Sequence, residues 1–174
     1  MSGLSEAASV IAVIDISAKI LGLCQTYITE VKEARKDMQR LRLGVISLQD
    51  ILTNVKDLAE EPNLSRKSVF SRLTQDDGPV QQCERDLERL VAQLEPGEVK
   101  MRRFGLRAFK WPFLSKEVNK RLQVINNHKA TFTLALISDY FALTRSIKDD
   151  IVMLGNSLAN IKTKQRILAI GEKQ

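Results

Sequence analysis

The sequence predicts an all-α fold, a helical bundle of four main helices with an apolar N-terminal helix packed centrally and a long C-terminal helix. Three observations carry that expectation. Apolar residues recur at intervals of three and four in separate stretches, and no stretch alternates with the period of two that a half-buried strand needs. Gly and Pro number only 8 and 4, too few for a turn-rich β architecture, while Leu, Ile, Val and Ala supply 61 of the 174 residues. A chain of this length makes one domain with a sizeable core, and 28% charged against 44% hydrophobic residues sets it apart from disordered chains.

Residues 4–27 form the first helix, apolar almost all round, with Glu6, Asp15 and Lys19 as its only charges; Asp15 and Lys19 are spaced to pair at i,i+4. Uniform apolarity predicts a central, buried helix. From about residue 30 a charged helix follows, in which Met38, Leu41, Val45, Leu48, Leu52, Val55 and Ala59 mark one seam until Pro62 ends it. Residues 63–78 are polar, with one or two helical turns expected around residues 65–73. Pro79, after Asp76 and Asp77, suits a first helical position, and Val80, Cys83, Leu87, Leu90 and Leu94 repeat at 3,4,3,4 up to Pro96-Gly97. Ser115 is a candidate cap for the fourth helix, with Glu117 in its first turn. Val118, Leu122, Ile125, Phe132, Leu136, Leu143, Ile147, Ile151, Leu154, Leu158 and Ile161 continue it to at least residue 154, and in the same or a separate segment to about 169.

Catalytic patterns are missing. His128 is the single histidine, which removes His-based triads and His-rich metal sites, and it reads as a surface or groove residue of the fourth helix. Cys24 and Cys83 lie in apolar helical surroundings with no metal or redox spacing, as buried reduced thiols would. Neither phosphate-binding glycine loop occurs, and the acidic pairs Glu60-Glu61, Asp76-Asp77 and Asp149-Asp150 read as solvated charge. The expectation is a protein that is not an enzyme, holding no cofactor and no metal.

Charge is distributed unevenly. The net charge is +6, yet residues 99–121 alone carry a net +7, the preceding residues −4 and the following ones +3. That segment also holds Phe104, Phe109, Trp111 and Phe113. Met101, Phe104, Ala108 and Trp111 share one helical stripe, and Lys100, Arg103, Arg107 and Lys110 another, with Arg102 beside them. Three uses fit: the aromatic stripe plugs the open end of the bundle, the basic stripe faces anionic lipid headgroups, or the segment contacts nucleic acid, the least favoured of the three. Trp111, Pro112 and Phe113, just before a capped helix, read as a structural anchor that fixes the angle at which the chain enters it. Residues 4–23 would span about 30 Å as a helix, the thickness of a bilayer's hydrocarbon core, so the first helix suits either a bundle interior or a membrane. Leu4, Val10, Ile11, Val13, Ile14, Ile16, Ile20, Leu21 and Leu23 are its candidate inserting residues.

The stretches MSGLSEAASVIAVIDISAKI, EVKEARKDMQRLRLGVISLQDIL, LEPG, LRAFKWPFLSKEVNKRL and TFTLALISD resemble, in that order, the N-terminal domains of fungal STAND proteins, the intracellular NOD-like receptors, in their HeLo-like and SesA group. The similarity runs from residue 1 to about 145, and the KWPF-x-S-K-E-V element at 110–118 is its most specific part. The resemblance implies a domain over 1–155, and at 156–174 a helical extension or lead-in to a NACHT nucleotide-binding module that this sequence does not include. It also implies an effector end of a receptor: the sensor assembles these domains, the N-terminal helix is released, and the oligomer permeabilises membranes in regulated cell death. On that basis the expected partners are other copies of the domain, anionic membrane lipids and a NACHT-type receptor or adjoining domain, in a cytoplasmic protein recruited to the plasma membrane on activation. The alternative of another class is a helical interaction module that docks a partner or an autoinhibited receptor through its second and fourth helices.

Overall fold

The computed structural model describes residues 2–31, 34–60, 69–95 and 115–171. Among them every regular element is helical: α1 (Ser2–Glu30), α2 (Arg35–Glu60), the short α3 (Val69–Thr74), α4 (Pro79–Leu94) and α5 (Ser115–Gly171). The expected all-α architecture of four main helices is thus found, with the polar connection after Pro62 contributing the one or two extra turns as α3.

Each boundary has a local cause. α1 runs three residues beyond the expected end at Tyr27, because its ladder continues through the amide of Val31, which donates to the Tyr27 carbonyl at 2.9 Å. Arg35 then reaches back, its Nε donating to the Ile28 carbonyl at 3.2 Å, and so satisfies one of the orphan acceptors at the end of α1. The turn before α4 is built on Asp77, at φ 60, and Gly78. A Cβ at Gly78 would stand 2.7 Å from the Gln75 carbonyl oxygen, so only glycine fits there. The Asp77 amide donates to Gln81 Oε1 at 2.9 Å, and Arg85 Nη2 donates to Asp77 Oδ1 at 2.6 Å, which holds the turn against the first two turns of the helix.

Packing divides the chain into two compact units, Met1–Leu136 and Ile137–Gln174. In the first, α1 lies against α2, α3 and α4. Met38, Leu41, Val45, Leu48, Leu52 and Val55 of α2 are all sealed, as are Val80, Cys83, Leu87, Leu90 and Leu94 of α4. Residues 115–136 of α5 close the core with Val118, Ile125 and Phe132. α5 passes close to α2 at Gly44, where an added Cβ would meet Leu122 Cδ2 at 3.1 Å. Arg40 Nη2 donates to Asn119 Oδ1 at 2.9 Å on the same side.

Among the described residues, the second unit is helix alone. The apolar seam that α5 buries up to Leu136 continues in sequence, but Leu143, Ile147, Ile151, Leu154, Leu158 and Ile161 are exposed.

Candidate functional site

The helix singled out by its apolarity, α1, has two unlike faces. Ala7, Val10, Val13, Ser17, Ile20, Cys24 and Tyr27 are buried, and their spacings of three and four draw one stripe along the helix. Of the candidate inserting residues, Val10, Val13 and Ile20 belong to that stripe. Ile14, Ile16, Leu21 and Leu23 are half-buried at its edges, Ile11 is 42% exposed, and the Leu4 side chain lies outside the described residues. Ala8, Asp15, Ala18, Lys19, Gly22 and Gln25 are exposed with Ile11, so the open side mixes small, apolar and charged residues. Burial all round, expected from composition, is therefore found on one side only: the neighbours α2, α3 and α4 cover one side and the other meets solvent.

Three polar contacts hold α1. Ser17 Oγ donates to the Val13 carbonyl at 2.8 Å, so this buried hydroxyl is satisfied within its own helix. Tyr27 Oη donates to the Leu94 carbonyl at 2.9 Å, tying the end of α1 to the last residue of α4. Burial raises the Tyr27 hydroxyl above its ordinary pKa, which keeps it a donor. Lys19 Nζ lies 2.8 Å from Glu95 Oε1, so the ion pair expected with Asp15 is made instead with the residue that follows α4. Both partners are about half exposed, and such a pair contributes at most about 1 kcal/mol.

Energetically the apolar stripe dominates. Five of its side chains, Val10, Val13, Ile20, Cys24 and Tyr27, are at most 2% exposed. At roughly 2 kcal/mol each, returning them to water costs on the order of 10 kcal/mol. α1 leaves the bundle only where another apolar medium receives that face.

Burial pushes the Cys24 and Cys83 thiols up to about 12, so both are protonated at neutral pH and neither is poised as a nucleophile. His128 is more enclosed than a surface histidine. Its Nε2 lies 2.9 Å from Asp86 Oδ2 of α4 and its ring stacks on Phe132, with centroids 6.4 Å apart. Asp86 is also 3.2 Å from Arg89 Nη1, so one carboxylate meets both side chains. Ile125, His128 and Phe132 follow at intervals of three and four, the register that foreshadows this burial. The Asp86 contact, 42 residues away, has no such signal. Asp76, Asp77, Asp149 and Asp150 are exposed, as solvated carboxylates are. Among the described residues no three metal-ligating side chains come together.

Lys100, Arg102, Arg103, Arg107 and Lys110, the candidate headgroup contacts, and the anchor Trp111, Pro112 and Phe113 all lie outside the described residues. At the described end of the basic segment, Lys116 and Lys120 are exposed and Arg121 is half-buried.

Among known proteins, the model of one family, described as pigment biosynthesis cluster protein PigL N-terminal, matches residues 1–165. No curated protein and no solved structure matches the chain.

Proposed function

The chain belongs to the family of PigL N-terminal domains, and on that premise we propose that it is a non-enzymatic effector domain of a fungal NOD-like receptor that acts in regulated cell death by assembling and placing α1 in a membrane. The observation that carries this is the incomplete burial of α1. Ala7–Glu30 is long and apolar enough to cross a bilayer, and only a third of its most apolar window is buried. Its open side is sparing in charge, with Ile11, Ala18 and Gly22 beside Asp15 and Lys19. A bilayer would receive both faces at once, recovering the roughly 10 kcal/mol that release of the buried stripe costs. Asp15 and Lys19, both inside that span, are the remaining obstacle, at roughly 3 kcal/mol each near the bilayer centre, and assembly of several copies supplies partners for them. The basic residues Lys100 to Lys110 would then face anionic headgroups, drawing a cytoplasmic protein to the plasma membrane.

Dye release from anionic vesicles tests this. Wild-type protein, cross-linked into oligomers, is expected to release dye. Ile11→Glu with Ala18→Glu, both on the open face, is expected to keep the thermal midpoint and lose release. No release from wild-type oligomers, or release that the double variant leaves intact, would refute the proposal.

A second reading, a helical interaction module, is favoured by a different observation: the exposed apolar stripe of α5 beyond Ile137. It predicts association in solution without any vesicle leakage.

A further inference from the structure

We infer that residues 147–165 of α5 pair antiparallel with the same segment of a second copy of this chain, forming a two-fold symmetric dimer. The inference deepens the interaction-module reading, on which it rests, and does not depend on α1 entering a membrane.

The seam comes first. Ile147, Ile151, Leu154, Leu158 and Ile161 recur at 4,3,4,3 and are each between 50% and 64% exposed. These five side chains present on the order of 500 Å² of apolar surface, about the largest patch that an ordinary monomer shows, and the rest of the helix face brings the contact toward the roughly 800 Å² that each partner gives to a stable interface. A two-residue rhythm of three and four is the seam of a coiled coil, which is self-complementary: each side chain is a knob for the holes of an identical helix.

Charge chooses the direction. Along one edge of the seam stand Asp150, Ser157 and Lys164, seven residues apart, all exposed. In a parallel pair the edges that meet are opposite ones, and Asp150 falls beside Gly155 of the second copy, with no charge to meet. In an antiparallel pair the same edge meets itself reversed. Ser157 then lies near the two-fold axis facing its own copy, and Asp150 faces Lys164 of the second copy, twice over by symmetry. In this register Ile151 packs on Ile161 and Leu154 on Leu158, so apolar layers and ion pairs agree on one alignment. Opposed helix dipoles add to it. On the other edge Lys148 approaches Lys162 of the second copy, a repulsion that long side chains ease by splaying into solvent.

Sedimentation equilibrium of the full chain, without lipid, across a concentration series to hundreds of micromolar tests the inference. Wild-type protein is expected to reach a dimer. Leu154→Glu with Leu158→Glu is expected to remain monomeric with an unchanged circular dichroism spectrum, since both side chains are exposed and outside the packed core. Asp150→Lys and Lys164→Asp are each expected to weaken the dimer by about five- to tenfold, and the two together to restore it. A wild-type monomer overturns the inference, including one that pellets with anionic vesicles, and so does a higher oligomer. A dimer that survives the double glutamate variant places association elsewhere, and charge reversals without mutual rescue refute the antiparallel register. Dye release is read separately, so loss of the dimer with leakage intact removes this inference and leaves the membrane proposal standing.

Discussion

α1 and the second half of α5 carry the same kind of message, apolar residues at helical spacing, and meet opposite fates. The stripe of α1 from Ala7 to Tyr27 is sealed against α2, α3 and α4, whereas the stripe of α5 from Ile147 to Ile161 faces solvent. Periodicity specifies that a helix has an apolar face; it does not specify whether the cover for that face comes from the same chain. The difference also divides the energetics. Removing a side chain from the first stripe attacks folding, and under the dimer proposal removing one from the second attacks association.

The largest effect that sharpens this contrast is expected at Phe132, fully buried on α5 before the division at Leu136. Phe132→Ala is expected to destabilise by about 3–5 kcal/mol in urea unfolding, through lost transfer energy and the cavity left behind. Leu158→Ala, on the same helix and exposed, is expected to change that stability by no more than about 0.5 kcal/mol. Equal costs at the two positions would abolish the distinction.

A pH effect comes next. Burial raises the folded-state pKa of Cys24 and Cys83 from the ordinary 9.0 to about 12, so the unfolded chain releases these protons first. A raised pKa on a group that ionises to an anion gives stability that is complete below the unfolded value and declines as pH rises above it. Unfolding free energy is therefore expected to fall from about pH 9 upward, and Cys24→Ala with Cys83→Ala to flatten that slope. Thiol labelling at pH 8 should likewise track unfolding in urea.

Smaller still is Tyr27→Phe, which leaves the Leu94 carbonyl without its buried donor. It is expected to cost roughly 1–2 kcal/mol in thermal unfolding, where loss of an exposed hydroxyl would cost nothing. At the bottom of the scale, a double-mutant cycle on Lys19 and Glu95 is expected to give a coupling below about 1 kcal/mol, and none with Asp15 in place of Glu95.

Much of the fold was legible because its signals are local. Pro62, Pro79 and Pro96 bracket the middle helices, and the seam from Met38 to Val55 and that from Val80 to Leu94 are buried residue for residue. What escaped is nonlocal. Lys19 has a perfectly spaced partner in Asp15 and pairs instead with Glu95, because where the chain returns after α4 is decided by packing. The open side of α1 escaped for a similar reason: a helix with so few charges fits an interior position and a position covered on one side equally well. His128 was recoverable, since it shares a register with Ile125 and Phe132, whereas its contact with Asp86 has no counterpart in spacing. The α5 stripe is legible as a continuation of the seam, but its exposure is not, because spacing does not say that the first unit closes at Leu136.

The central claim is that α1 can exchange its internal cover for a membrane, and hydrogen exchange with anionic vesicles tests it most directly. In solution, amides of α1 and of α4 around Leu87 to Leu94 should be protected alike. With vesicles and cross-linked oligomer, α1 is predicted to stay protected while those α4 amides, stripped of their neighbour, exchange faster. Protection that is unchanged in both helices would contradict the claim and leave α1 as a permanent member of the bundle.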